Sequence, residues 1–172
     1  MIILQYNTTM MRIFISLLLF LRLTSVLSWA APFSIQIQHP LPTEAYINLA
    51  EVEVLAGTTV VSGTSCSLSG VYSTTLYLAS LCCDGIKTNF CVSNQDVNAK
   101  LTVSVPSIFD TIKVYNRADG GMTRIVGADI KVFDSTGVLA WSGTFSSNLA
   151  TYSFAVTWPT ANPTSIAYRG LY

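Results

Sequence analysis

From Phe33 onward the chain alternates. In FSIQIQH an apolar residue stands at every second position. The same period of two runs through YINLAEVEVLAG between Ile47 and Leu55, through KLTVSV from Lys100 to Val105, and through TIKVYN, ADIKVF and ATYSFAVTW. A two-residue period lays one set of side chains on each face of a pleated strand, so each stretch predicts a strand with one face in a core. The runs end in turn chemistry at Gly57, Asp84-Gly85, Pro106, Asp119-Gly120-Gly121, Asp134-Ser135-Thr136-Gly137 and Pro159. No window carries the i, i+3, i+4 spacing of an amphipathic helix over three turns. Short strands between turn residues predict an all-β, antiparallel sandwich as one domain over residues 31–158, with a Pro-rich tail, 159–172, as a loosely held extension. Between Thr58 and Ser93 the alternation lapses into a stretch rich in Ser, Thr, Gly and Cys. A long irregular loop in a compact domain is usually cross-linked or functional.

The first thirty residues stand outside this pattern. Arg12 precedes an apolar run from Ile13 to Leu21 that is too short to span a bilayer, and Arg22 interrupts it. Ser28 and Ala30 occupy the −3 and −1 places of a cleavage point, so residues 1–30 read as a secretory signal peptide, with a retained signal anchor as the alternative. A secreted chain meets an oxidising compartment. Its four cysteines, Cys66, Cys82, Cys83 and Cys91, then predict two disulfides. Adjacent cysteines pair with each other only under strain, so Cys66 is expected to join one of Cys82 and Cys83, and Cys91 the other. A zinc site is disfavoured, since there is no C-x-x-C and the single histidine, His39, is distant in sequence.

Charge narrows the function. Only 10% of the residues are charged, and seven of the nine basic residues lie beyond Ala31 together with all nine acidic ones. They form neither the basic stripe that nucleic acid requires nor a polybasic segment for anionic lipid. Catalytic readings lack material: there is no G-x-S-x-G elbow and no phosphate-cradling glycine loop, and Glu51 and Glu53 share one strand face instead of confronting each other across a substrate. No enzymatic activity is expected. What stands out is YNRADGGMTR, which sets Arg117, Asp119 and Arg124 within eight residues. A guanidinium is a planar fork of donors suited to paired hydroxyls or a carboxylate, and an adjacent acid orients it. Tyr72, Tyr77 and Phe90, in or beside the irregular stretch, offer flat faces for stacking.

YINLAEVEV, then CCDG, then TIKVYNRADGGMTRIVGADIKVFDSTG, in that order, resemble the galactose-binding-like jelly rolls: the coagulation-factor type C (discoidin) domains and, more closely, the F-type fucose-binding lectins. The resemblance covers Ile35 to Val156 and implies a jelly-roll β-sandwich with ligand loops at one end. Arg117, Asp119 and Arg124 match the second half of the F-type sugar motif. That implies two basic donors to a sugar, oriented by the acid, with Phe90 or Tyr72 as the apolar face. The motif's histidine falls on Phe90, and the adjacent cysteine pair that follows the motif's acid is here Gly120-Gly121. The resemblance further implies a structural calcium near the Asp84-Gly85 turn, with Asp84, Asn89 and Glu53 as candidate ligands. The expectation is a secreted, lectin-like module whose partner is a glycan or glycoconjugate. Weak single sites would be strengthened by homo-oligomerisation or by association with another protein. The alternative is the same fold used as a protein- or membrane-surface interaction module without sugar binding.

Overall fold

The computed structural model of the protein describes residues 29–159. Residues 1–28 of the expected signal peptide and 160–172 of the expected tail lie outside the described residues. Trp29 and Ala30, which cleavage after Ala30 would remove, make contacts with the domain. The Trp29 indole N–H donates to Pro159 O, and Ala30 O accepts from Ser135 N.

The described residues form eleven strands: β1 (Phe33–Gln38), β2 (Asn48–Leu49), β3 (Glu51–Ala56), β4 (Thr59–Val60), β5 (Ser65–Leu68), β6 (Cys91–Val92), β7 (Lys100–Val105), β8 (Thr111–Tyr115), β9 (Asp129–Phe133), β10 (Leu139–Thr144) and β11 (Thr151–Ala155). Two short 3-10 turns, Ala79–Cys82 and Met122–Ile125, complete the secondary structure. All strand pairings are antiparallel. A five-stranded sheet runs β10-β9-β1-β7-β5, a four-stranded sheet β11-β8-β3-β4, and β2 pairs with β6 alone. The fold is therefore all-β and sandwich-like, as the alternation predicts.

The period of two becomes burial directly. In β1 Phe33, Ile35 and Ile37 are buried while Ser34, Gln36 and Gln38 are partly exposed. Register then stacks apolar on apolar: Ile35 lies opposite Val103 and Val132, and Ile37 opposite Leu101 and Ile130. In the other sheet Val52 faces Val114 and Val54 faces Ile112. These side chains share one core with Leu49, Phe109 and Phe145. Each fully buried aliphatic residue contributes about 1.5–3 kcal/mol of hydrophobic stabilisation. Trp158 packs at one side of that core, its ring 4.7 Å from Phe33 and 5.3 Å from Phe109.

Two expectations are refined. YINLAEVEVLAG does not form one strand: it breaks at Ala50 into β2 and β3, which belong to different sheets. Every residue from Ile47 to Val52 is at most 2% exposed. A second layer, β6 with the Ala79–Cys82 turn, lies over this segment, so both faces are covered and the alternation loses its meaning there. Glu51 is consequently covered. It is 2% exposed and accepts the Gly85 N–H at 2.9 Å. The disulfide choice left open by sequence is also made: Cys66 bonds Cys83, and Cys82 bonds Cys91. The adjacent cysteines thus pin the irregular loop at two points, one to β5 and one to β6.

Candidate ligand-binding site

The turn after β8 sets the site. Asn116, 6% exposed, donates its amide to Met122 O at 2.8 Å and to Leu149 O at 3.1 Å, and its Oδ1 accepts from Arg117 N at 3.0 Å. One buried amide thereby ties the end of β8 to the far side of the loop. Asp119 then folds back to accept from both Arg117 Nε and Arg117 Nη2, and it also accepts the Gly121 N–H at 3.3 Å. The guanidinium beside it holds the Asp119 carboxyl below the usual carboxylate range. Arg124 follows on the Met122–Ile125 turn, which is anchored inward by Ile125 at 1% exposure. From the other side, His39 Nε2 donates to the Arg124 carbonyl at 2.7 Å.

The two arginines converge. With the Asn48 amide oriented so that its oxygen faces them, that oxygen accepts from Arg117 Nη1 and from Arg124 Nη1, each at 3.2 Å. Asn48 is 1% exposed, so it is a buried neutral acceptor shared by two cations. Their remaining capacity differs. Arg117 is spent on Asp119 and Asn48, and its side chain is 12% exposed. Arg124 is exposed and has no carboxylate within ion-pair distance among the described residues. Arg124 is therefore the principal donor left for a ligand.

Aromatic rings close the remainder of the wall. The Arg117 guanidinium carbon lies 4.0 Å from the Phe90 ring centroid, and that of Arg124 lies 4.8 Å from the Tyr46 centroid. Between those rings run Tyr72, 6.0 Å from Tyr46, and Tyr77, 6.1 Å from Tyr72 and stacked at 5.1 Å on Phe90. The contacts form a closed circuit, with Val92 of β6 also on the lining, around a cavity of about 180 Å³. Cation–π contact of this kind contributes about 0.5–2 kcal/mol and fixes the guanidinium planes. Gly121 makes the arrangement fit: a Cβ there would stand 2.8 Å from Arg117 Cδ, Nε and Cζ.

All five expected ligand-binding residues, Arg117, Asp119, Arg124, Phe90 and Tyr72, meet here, with Asp119 behind Arg117 instead of on the cavity wall. Tyr46, Asn48, Val92 and Gly121 were not singled out from sequence as site residues. Tyr46 and Asn48 stand off the core phase of the alternation shortly before β3, and nothing in their local pattern marks them as site residues.

The expected calcium ligands behave differently. Glu53 accepts from Lys87 Nζ at 2.7 Å and from the Tyr115 hydroxyl at 2.8 Å. Burial alone would raise its pKa, but these two partners outweigh burial and hold it low. Lys87 also lies 4.1 Å from the Tyr115 ring centroid, so an exposed ammonium of the chain's own already serves Glu53. Asp84 is joined to Asn89 at 2.9 Å and to Ile86 N at 2.8 Å. Asn89 Oδ1 is buried and without a partner. Of the expected trio, Asp84 and Asn89 stand together while Glu53 is held by Lys87 and Tyr115, and among the described residues no group of three or more His, Cys, Asp or Glu converges.

Compared with protein-family models, with curated proteins and with solved structures, the chain shows no match.

Proposed function

We propose that residues 31–158 form a secreted, lectin-like carbohydrate-binding module, a jelly roll of the galactose-binding-like type that recognises its ligand without transforming it. The observation that carries the reading is the convergence of Arg117 and Arg124 on Asn48 at the edge of an aromatic-walled cavity. Guanidinium donors beside flat apolar faces suit a polyol, whose hydroxyls accept at its edges while its C–H faces stack on rings. A cavity of about 180 Å³ lies below the roughly 300–1,000 Å³ of drug-sized sites, so it accommodates one ring and not an extended chain. Affinity from one such site is weak, and useful strength follows from several copies held together, by self-association or by another protein. Two disulfides support the extracellular reading.

The test is a glycan array probed with the purified protein and with Arg124→Ala. The expected result is binding by the parent chain, lost in the variant while its circular dichroism spectrum is unchanged. Binding to no sugar defeats the reading. One observation favours the second reading, a surface that docks on protein or membrane. The loop beside the cavity exposes Tyr72 at 60%, Leu76 at 66% and Leu78 at 40%. A co-purifying protein partner, or sedimentation with vesicles, abolished by Leu76→Ser and accompanied by a blank array, would select it.

A further inference from the structure

The electrical balance of the cavity is uneven. Arg117 is neutralised by Asp119, and the shared acceptor Asn48 carries no charge. Arg124 is left with a whole positive charge at the rim, and none of the lining residues is acidic. Its guanidinium face is covered by Tyr46, so its donors point edge-on. An aromatic enclosure without acids often suggests a cage for an organic cation. Here two guanidinium groups in the wall would repel one.

We propose that the preferred ligand is an anionic sugar, a single ring bearing a carboxylate or a sulfate, with the acidic group on Arg124 and the ring against Tyr77 and Phe90. The proposal rests on the carbohydrate reading above and goes further in naming the class. Three features act together. A charge-assisted hydrogen bond to a guanidinium is about twice as strong as one between neutral groups. Rings on the opposite wall displace water and weaken screening of the pair. Arg117, held by Asp119 and Asn48, keeps Arg124 company without competing for the anion. A neutral sugar satisfies the same donors but leaves the net charge of the cavity uncompensated.

Matched pairs test it by isothermal titration calorimetry: galactose against galacturonate, and galactose against galactose 6-sulfate, each at about 0.05 M and about 0.5 M salt. The expected result is an acidic member bound about tenfold more tightly than its neutral partner at low salt. That advantage shrinks at high salt, as screening requires. In Arg124→Gln, which keeps an amide donor, the acid-to-neutral ratio falls to about one, whereas Arg124→Lys retains part of it. The carboxylate and sulfate pairs show which anion the geometry accepts. Equal binding of acidic and neutral members overturns this inference and leaves the carbohydrate reading standing. A preference that survives Arg124→Gln overturns it as well. Absence of binding to all three sugars in the parent chain overturns both.

Discussion

Arg117 occupies its place because three neighbours leave it no other. Asp119 grips one edge, Phe90 covers one face, and Gly121 gives room on the other. Substituting Gly121→Ala puts a methyl group against the guanidinium stem. The side chain is flexible and swings away, so the backbone keeps its course. The expected outcome is ligand affinity reduced severalfold, because Arg117 no longer braces Asn48 and, through it, Arg124, with a melting temperature changed by less than about 3 °C. Calorimetric titration and thermal melting of the same sample check it. Arg117, Asp119 and Arg124 were legible in the sequence because a short turn keeps their spacing. Asn48 and Tyr46 were not, because they come from a segment some seventy residues away, and only the paired sheets bring it alongside. Phe90 was legible as an apolar wall, although its stacking on Tyr77 required the loop to be closed by cystines.

At the level of elements, strands seen from both sides explain what alternation could and could not forecast. β1, β7, β8 and β9 each bury one face, and their period of two survives intact. β3 begins where a loop covers its outer face, and Glu51 becomes an acid under a lid made by Asp84-Gly85. Gly85 turns with φ +80°, a conformation that suits glycine and aims its N–H at the carboxyl. Burial, aided by the nearby Asp84 and Glu53 charges, pushes the Glu51 pKa up to about 7 despite that N–H. The folded chain thus holds this proton more tightly than the unfolded chain does. Its contribution to stability is fully present below the unfolded value of 4.5 and is lost as pH rises to about 7. Glu51→Gln keeps an acceptor for Gly85 and removes the buried charge. It is expected to be more stable than the parent by about 2 kcal/mol near pH 9 and indistinguishable from it near pH 4. Urea denaturation at the two pH values checks this.

Across the whole molecule, the two disulfides join the sandwich to the aromatic wall. Cys66–Cys83 spans 17 residues and Cys82–Cys91 spans 9, and between them lie Tyr72, Tyr77 and Phe90. The sequence foretold two bridges but not their pairing, since either partner of Cys66 is sterically open until β5 and the Ala79–Cys82 turn are placed. Replacing Cys66 and Cys83 by serine releases the longer loop. Urea denaturation should show a loss of about 3 kcal/mol, and ligand affinity should fall, while β1, β7 and β9 keep their sheet signature in circular dichroism. A stability equal to that of the parent would mean that the loop is held by its rings alone. The circuit of rings and guanidinium planes also bears on how quickly a ligand is captured. On the proposed reading the braced wall stands formed before a ligand arrives, so substitutions of its rings are expected to act on how long the ligand stays, while substitution of the rim charge Arg124 also alters how often an anion arrives.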